Sequence, residues 1–138
     1  MIVVDSNIIT YLFLTSAWTD QAEQLLRQEP DWAAPLLWRS EFRNVLALYI
    51  RKRLLSPADA LEIIEQATSM MMGREYDVVS SRVLSLAAQS SCSAYDCEFV
   101  ALAQDLGVPL VTMDKQVWDQ FPKIAMSLDN YLTSRRRK

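Results

Sequence analysis

Four acids stand at the places in this chain where short apolar runs end or helical patterns begin: Asp5, Glu41, Asp96 and Asp114. Asp5 directly follows Ile2-Val3-Val4, and Asp114 comes just after the run Val108–Thr112. Glu41 and Asp96 each fall in the expected first turn of a helix. Singly, each has an ordinary explanation. A carboxylate at a helix start complements the dipole by about 0.3–1 kcal/mol, and Asp after a strand is a common turn residue. Jointly they permit more. Strand ends and the helix starts that follow them share one edge of a parallel sheet, where ligand sites gather. Carboxylates converging there repel one another, and a divalent cation offsets the repulsion. An all-oxygen set suits Mg²⁺ or Mn²⁺, not zinc or copper. Such ions polarise a phosphoryl oxygen and lower the pKa of a bound water, which is the chemistry of phosphodiester hydrolysis. Ser6 and Thr112 are hydroxyls positioned to fix a carboxylate or a bound water.

Other chemistries are short of residues. The chain has no histidine, which removes Ser-His-Asp and Cys-His catalysis. Cys92 and Cys97 are the only cysteines, too few for a four-ligand Cys/His zinc site; they read as small packing residues. A haloacid-dehalogenase-like phosphatase would want a second Asp two residues past Asp5, where Asn7 stands. A receiver-type phosphoacceptor domain would want adjacent acids near the end of the first strand. The net charge of −3 is unlike that of a generic nucleic-acid binder, but a site made of acids adds negative charge that bound cations neutralise.

The elements that must position these acids are legible in outline. The 138 residues, 51% hydrophobic with only two glycines, fit a single domain over 1–138 with its own core. Short strands are expected at Ile2–Val4, Asp31–Ala34 closed by Pro35, Val108–Thr112 and, weakly, Ile124–Met126. Helical periodicity marks Trp18–Gln28, then Ser40–Arg53 with Phe42, Val45, Leu46 and Tyr49 in phase. Ser56-Pro57 starts another helix with an apolar face of Leu61, Ile64 and Thr68 or Met71. Gly73 interrupts the chain before helices at Val78–Gln89 and Asp96–Leu106, the latter stopped by Gly107. Strands alternating with helices predict an α/β fold with a mainly parallel sheet. No apolar run reaches the ~18 residues of a membrane span, and the opening MIVVDSN lacks a basic, then apolar, leader. A cytoplasmic protein is expected.

At this point the chain resembles the PIN-domain family and, within it, the VapC toxins. The matching blocks are IVVDSNII at 2–9, SEFRNVL at 40–46 and SAYDCEFVALAQDLGVPLVTMDKQV at 93–117. The resemblance implies a three-layer α/β/α sandwich with a short parallel sheet. It implies an Mg²⁺- or Mn²⁺-dependent endoribonuclease, usually a homodimer, held inactive by a cognate antitoxin whose segment lies near the acidic cleft. Asp5, Glu41, Asp96 and Asp114 match the family's acidic quartet, and Asn7 and Thr112 match supporting polar positions. Relatives often carry a further acid after the fourth; here position 117 is Val, and Asp119 is the nearest candidate. Glu98 is a further candidate contributor, although, two residues past Asp96, it is expected to point roughly away on a helix.

RNA phosphates need positive partners. Arg39 and Arg43 flank Glu41, and Lys115 follows Asp114, so these three are the expected RNA contacts. Arg51-Lys52-Arg53 reads as a helix C-terminus, and Ser134–Lys138 forms a basic tail. The four tryptophans read as core or interface residues. The competing reading is a catalytically silent module of the same fold, acting through dimerisation and protein partners.

Overall fold

The computed structural model describes residues 1–136. Five short strands form one sheet: β1 (Ile2–Val4), β2 (Trp32–Pro35), β3 (Glu75–Tyr76), β4 (Leu110–Val111) and β5 (Ala125–Met126). Their order is β3-β2-β1-β4-β5, and every pair is parallel. Val3 sits opposite Ala33 on one side and Leu110 on the other. β1, β2 and β4 are buried throughout, as expected for strands covered on both faces.

The helices between the strands are α1 (Ser6–Phe13), α2 (Thr19–Gln28), α3 (Leu37–Arg51), α4 (Pro57–Met71), α5 (Ser80–Ala88), α6 (Ala94–Leu106), α7 (Lys115–Gln120) and α8 (Leu128–Arg136). From β1 the chain steps outward to β2 and β3 through α1–α4, then returns through α5 and α6 to β4 on the far side of β1. Right-handed crossovers therefore put α1–α4 on one face and α5–α6 on the other. α1, α3 and α4 pack on one another, and α6 packs on α5, β1 and β2. The result is the expected α/β/α sandwich. Its core joins Ile2, Val3, Ile8, Trp32, Trp38 and Phe42 with the α6 run Phe99–Ala103, all at most 3% exposed.

The sheet reverses its winding between β1 and β4. At such a boundary the two following connections diverge and open a crevice beyond the strand ends. Asp5 and Thr112 occupy that edge, immediately after β1 and β4.

Several local expectations need correction. α1 was not anticipated; its Ile8, Ile9 and Thr10 are β-branched, but Asp5 caps it by accepting the Ser6 N–H, and Ile8 and Ile9 bury against the core. α3 starts at Leu37, not Ser40, so Glu41 lies in the second turn and contributes no first-turn dipole stabilisation. On α4 the buried face is Ala60, Ala67 and Met71, while Leu61 is 58% exposed. Val79 precedes α5 and is exposed. Gly107 does end α6, at φ +66°, with Val108 N–H donating to the Ala103 carbonyl as the chain turns into β4. Of the basic tail, Ser134–Arg136 belong to α8, and Arg137 and Lys138 lie outside the described residues. No helix among the described residues is long and apolar enough to cross a membrane.

Candidate active site

Asp5 is the most enclosed acid of the site, 7% exposed. One carboxylate oxygen, Oδ1, accepts the Ser6 backbone N–H at 2.7 Å; the other, Oδ2, accepts the Thr112 hydroxyl at 2.7 Å. Its own N–H donates to the Val111 carbonyl, tying the end of β1 to β4. Burial pushes its pKa up to about 6, against the hydrogen bonds from Thr112 and Ser6, and the charge on Asp96 adds to the rise.

Two hydroxyls link the acids. Ser6 Oγ lies 2.9 Å from Glu41 Oε1 and 3.3 Å from Asp5 Oδ1. A serine has one proton to donate, and the shorter contact gives it to Glu41. Thr112 Oγ1 donates to Asp5 and accepts the Asp114 backbone N–H at 3.0 Å. Asn7 Oδ1 accepts the Met113 N–H at 3.3 Å, which pins the turn leading to Asp114. Asp114 caps α7 by accepting the Gln116 N–H at 3.0 Å.

Glu41 meets the Ser6 hydroxyl from α3, and Asp96 stands on α6. Glu41 is half-buried; burial pushes its pKa up to about 7, and the charges of Asp5, Asp96 and Glu98 add to the rise, opposed by the Ser6 hydrogen bond. Asp96 stands in the first turn of α6, where the Ser93 cap accepts its N–H. Burial and then the charge on Asp114 raise its pKa. The four acids thus feel one another: Asp96 acts on Asp5 and Glu41, and Asp114 acts on Asp96. Glu98 was expected to face away, yet its charge reaches Glu41.

The basic residues expected to contact RNA have these partners. Arg39 pairs with Glu75 at the end of the sheet, and Glu75 also accepts the Trp38 Nε1–H at 2.8 Å. Arg43 lies on the α3–α4 side, lining a groove with Leu46, Ile50 and Ala60, and donates to Ser40 at 3.2 Å. Neither lines the pocket that holds Ser6 and Glu41. Lys115 pairs one helical turn along α7 with Asp119, and both are exposed. Asp119 is therefore engaged by a lysine rather than drawn into the acid group.

Among the described residues, none of the four acids takes part in an ion pair. Their donor atoms are all oxygens, and their mutual repulsion leaves a surplus of negative charge at the sheet edge. That chemistry fits a hard divalent cation. No three Asp, Glu or Cys side chains among the described residues form a ready-made ligand cage; Mg²⁺ commonly keeps several waters and takes only one or two carboxylates plus phosphate oxygens.

Comparison with known proteins agrees with this architecture. The family model of the PIN domain matches residues 2–124. The chain is 28% identical over 126 residues to Ribonuclease VapC3 of Pyrobaculum aerophilum, covering 89% of this chain and 96% of that one. Among solved structures, PAE2754 from Pyrobaculum aerophilum is similar with a TM-score of 0.75 at 20% identity, over 99% of this chain and 96% of the other. A toxin-antitoxin complex from Klebsiella pneumoniae contains a similar chain, with a TM-score of 0.66 at 19% identity, over 93% and 98% of the two chains.

Proposed function

This chain belongs to the PIN-domain family, and from that premise we propose that it is an Mg²⁺- or Mn²⁺-dependent endoribonuclease and the toxin of a toxin–antitoxin pair. It would act in the cytoplasm on RNA, as a homodimer restrained by a cognate antitoxin. One observation carries the reading: Asp5 is linked through Ser6 to Glu41 and through Thr112 to the Asp114 backbone, within electrostatic reach of Asp96. The similarity to a protein named a ribonuclease supports the activity, and the similarity to a chain of a toxin-antitoxin complex supports the biological setting.

In this reading Asp5, Glu41, Asp96 and Asp114 are the residues that would hold the cation. When bound, it would supply positive charge to the scissile phosphate and acidify a water for attack. The protein's own part is positioning. Hydrogen bonds to both oxygens stop the Asp5 carboxylate from rotating. Ser6 holds Glu41 toward Asp5, and Thr112 with Asn7 sets the backbone from which Asp114 projects. Such preorganisation lowers the cost of gathering like charges once the cation is present.

The test is cleavage of single-stranded RNA with Mg²⁺ or Mn²⁺, with and without chelator, by the wild type and by Asp5→Asn and Asp96→Asn. Cleavage should vanish with chelator and in both variants, while their melting transitions persist. Variants that cut at the wild-type rate would remove the assignment. Absence of cleavage together with tight capture of a protein partner would favour the silent binding module.

A further inference from the structure

We infer that the pocket beside the acids is a subsite for one unpaired nucleobase, with Tyr11 as its stacking surface and Trp18 bracing that ring. The inference rests on the ribonuclease reading, since the base matters as the neighbour of the bond to be cut. The pocket has a volume of about 430 Å³, within the ~300–1,000 Å³ usual for small-ligand sites. Ser6 and Glu41 form its acidic side, Tyr11 and Val45 give apolar surface, and Asn7 and Asn44 bring amides to it. A nucleotide lying here would therefore have its base against Tyr11 and its phosphate near the acids.

The aromatic pair favours a base over other ligands. Tyr11 and Trp18 rings stand 5.2 Å apart at 35°, yet Trp18 stays 41% exposed at the start of α2. A large aromatic left in water against Tyr11, which itself lines the pocket, offers apolar area that a flat ring would cover. Unpaired bases stack on Tyr and Trp faces, whereas bases in a duplex already stack on one another. The Asn44 amide, exposed beside the pocket, carries both donors and acceptors and so matches a base edge. Tyr11 lines the same pocket as Ser6 and Glu41, which places its side chain beside the acidic side. A sugar or a simple phosphate would use the amides and the acid-bound cation but not the ring.

The experiment is a ligand-observed NMR titration of the full chain in Mg²⁺ with 5′-AMP, 5′-UMP and ribose 5-phosphate. None has an internucleotide bond, so turnover does not interfere. The nucleotides should bind more tightly than ribose 5-phosphate. Tyr11→Leu should weaken nucleotide binding roughly 5- to 150-fold and leave ribose 5-phosphate unaffected, while Tyr11→Phe keeps nucleotide binding. Trp18→Leu, at a more exposed position, should weaken the nucleotides in the same selective way, and it stands in if Tyr11→Leu does not fold. Equal binding of nucleotides and ribose 5-phosphate, or nucleotide binding unchanged in both leucine variants, overturns the subsite. Base-dependent binding without RNA cleavage supports the subsite and removes the ribonuclease reading; cleavage without base-dependent binding removes the subsite alone.

Discussion

Thr112 donates its hydroxyl to Asp5 Oδ2 at 2.7 Å although the two residues lie 107 positions apart in the chain. The contact crosses the β1–β4 boundary, where the sheet reverses its winding. The same hydroxyl accepts the Asp114 N–H, so one buried atom sets the orientation of one acid and the backbone of another.

Thr112→Val should therefore reduce cleavage by about 10- to 100-fold, the usual effect of removing a group that orients a metal ligand. Valine matches the shape but leaves Asp5 Oδ2 and the Asp114 N–H without their partner. Thr112→Ser restores the hydroxyl and should recover most of the rate. Steady-state kinetics on a single RNA substrate, with melting curves to verify the fold, checks both variants.

The metal-free protein should gain stability when Asp5 is replaced by Asn, and the gain should depend on pH. The Asp5 pKa is raised by burial from 3.8 to about 6. A carboxyl with a raised folded pKa favours the fold below its unfolded value, and that contribution is lost as pH rises through the folded pKa. In chelator, the melting temperature of Asp5→Asn relative to wild type should climb between about pH 4 and pH 7 and then level off. The stabilisation at neutral pH is on the order of 1–3 kcal/mol. A constant difference across that range would contradict the assignment of a buried, repelled carboxyl.

Glu75 should show the opposite sign. Its pKa is lowered, first by the Arg39 hydrogen bond, against the effect of burial and with help from Trp38. Its contribution is present above the unfolded pKa and lost as pH falls through the folded one. Because Arg39 is partly exposed, the Glu75→Gln cost is about 1–2 kcal/mol at neutral pH, or about 3–6 °C in Tm. Thermal melts at pH 7 and near pH 3 should show the difference shrinking in acid, and cleavage at permissive temperature should be kept.

Asp119→Asn should leave kcat/KM within about twofold, as surface substitutions away from a site do. Its carboxylate is exposed and held by Lys115 on α7. Asp114→Asn, only five positions earlier, should abolish cleavage. Parallel assays of the two variants separate the acid that faces the sheet edge from the one that faces solvent.

The order of acids and apolar runs made the sheet edge legible: Asp5 after Ile2–Val4 and Asp114 after Val108–Thr112 need only strand ends to be neighbours. The Ser56 cap and Gly107 also marked helix limits, because capping is local chemistry, whereas the Ser93 cap was missed and α6 begins at Ala94 rather than Asp96. α1 escaped because Asp5 was read for its chemistry, while the β-branched Ile8, Ile9 and Thr10 masked a helix stabilised mainly by tertiary burial. The start of α3 escaped because Leu36 offers no side-chain cap. β3 is two residues long and carries no periodicity. The partners of the basic residues escaped for a different reason. Arg39 pairs with a residue 36 positions away, and nothing in the local sequence indicates that its charge is already engaged.

Calorimetric titration of the full chain with Mn²⁺ addresses the gathering of acids around a cation most directly. Wild type should bind Mn²⁺, and Asp5→Asn and Asp96→Asn should each weaken binding by about tenfold or more. Mn²⁺ affinity identical in wild type and both variants, or no Mn²⁺ uptake by the wild type, would contradict the account.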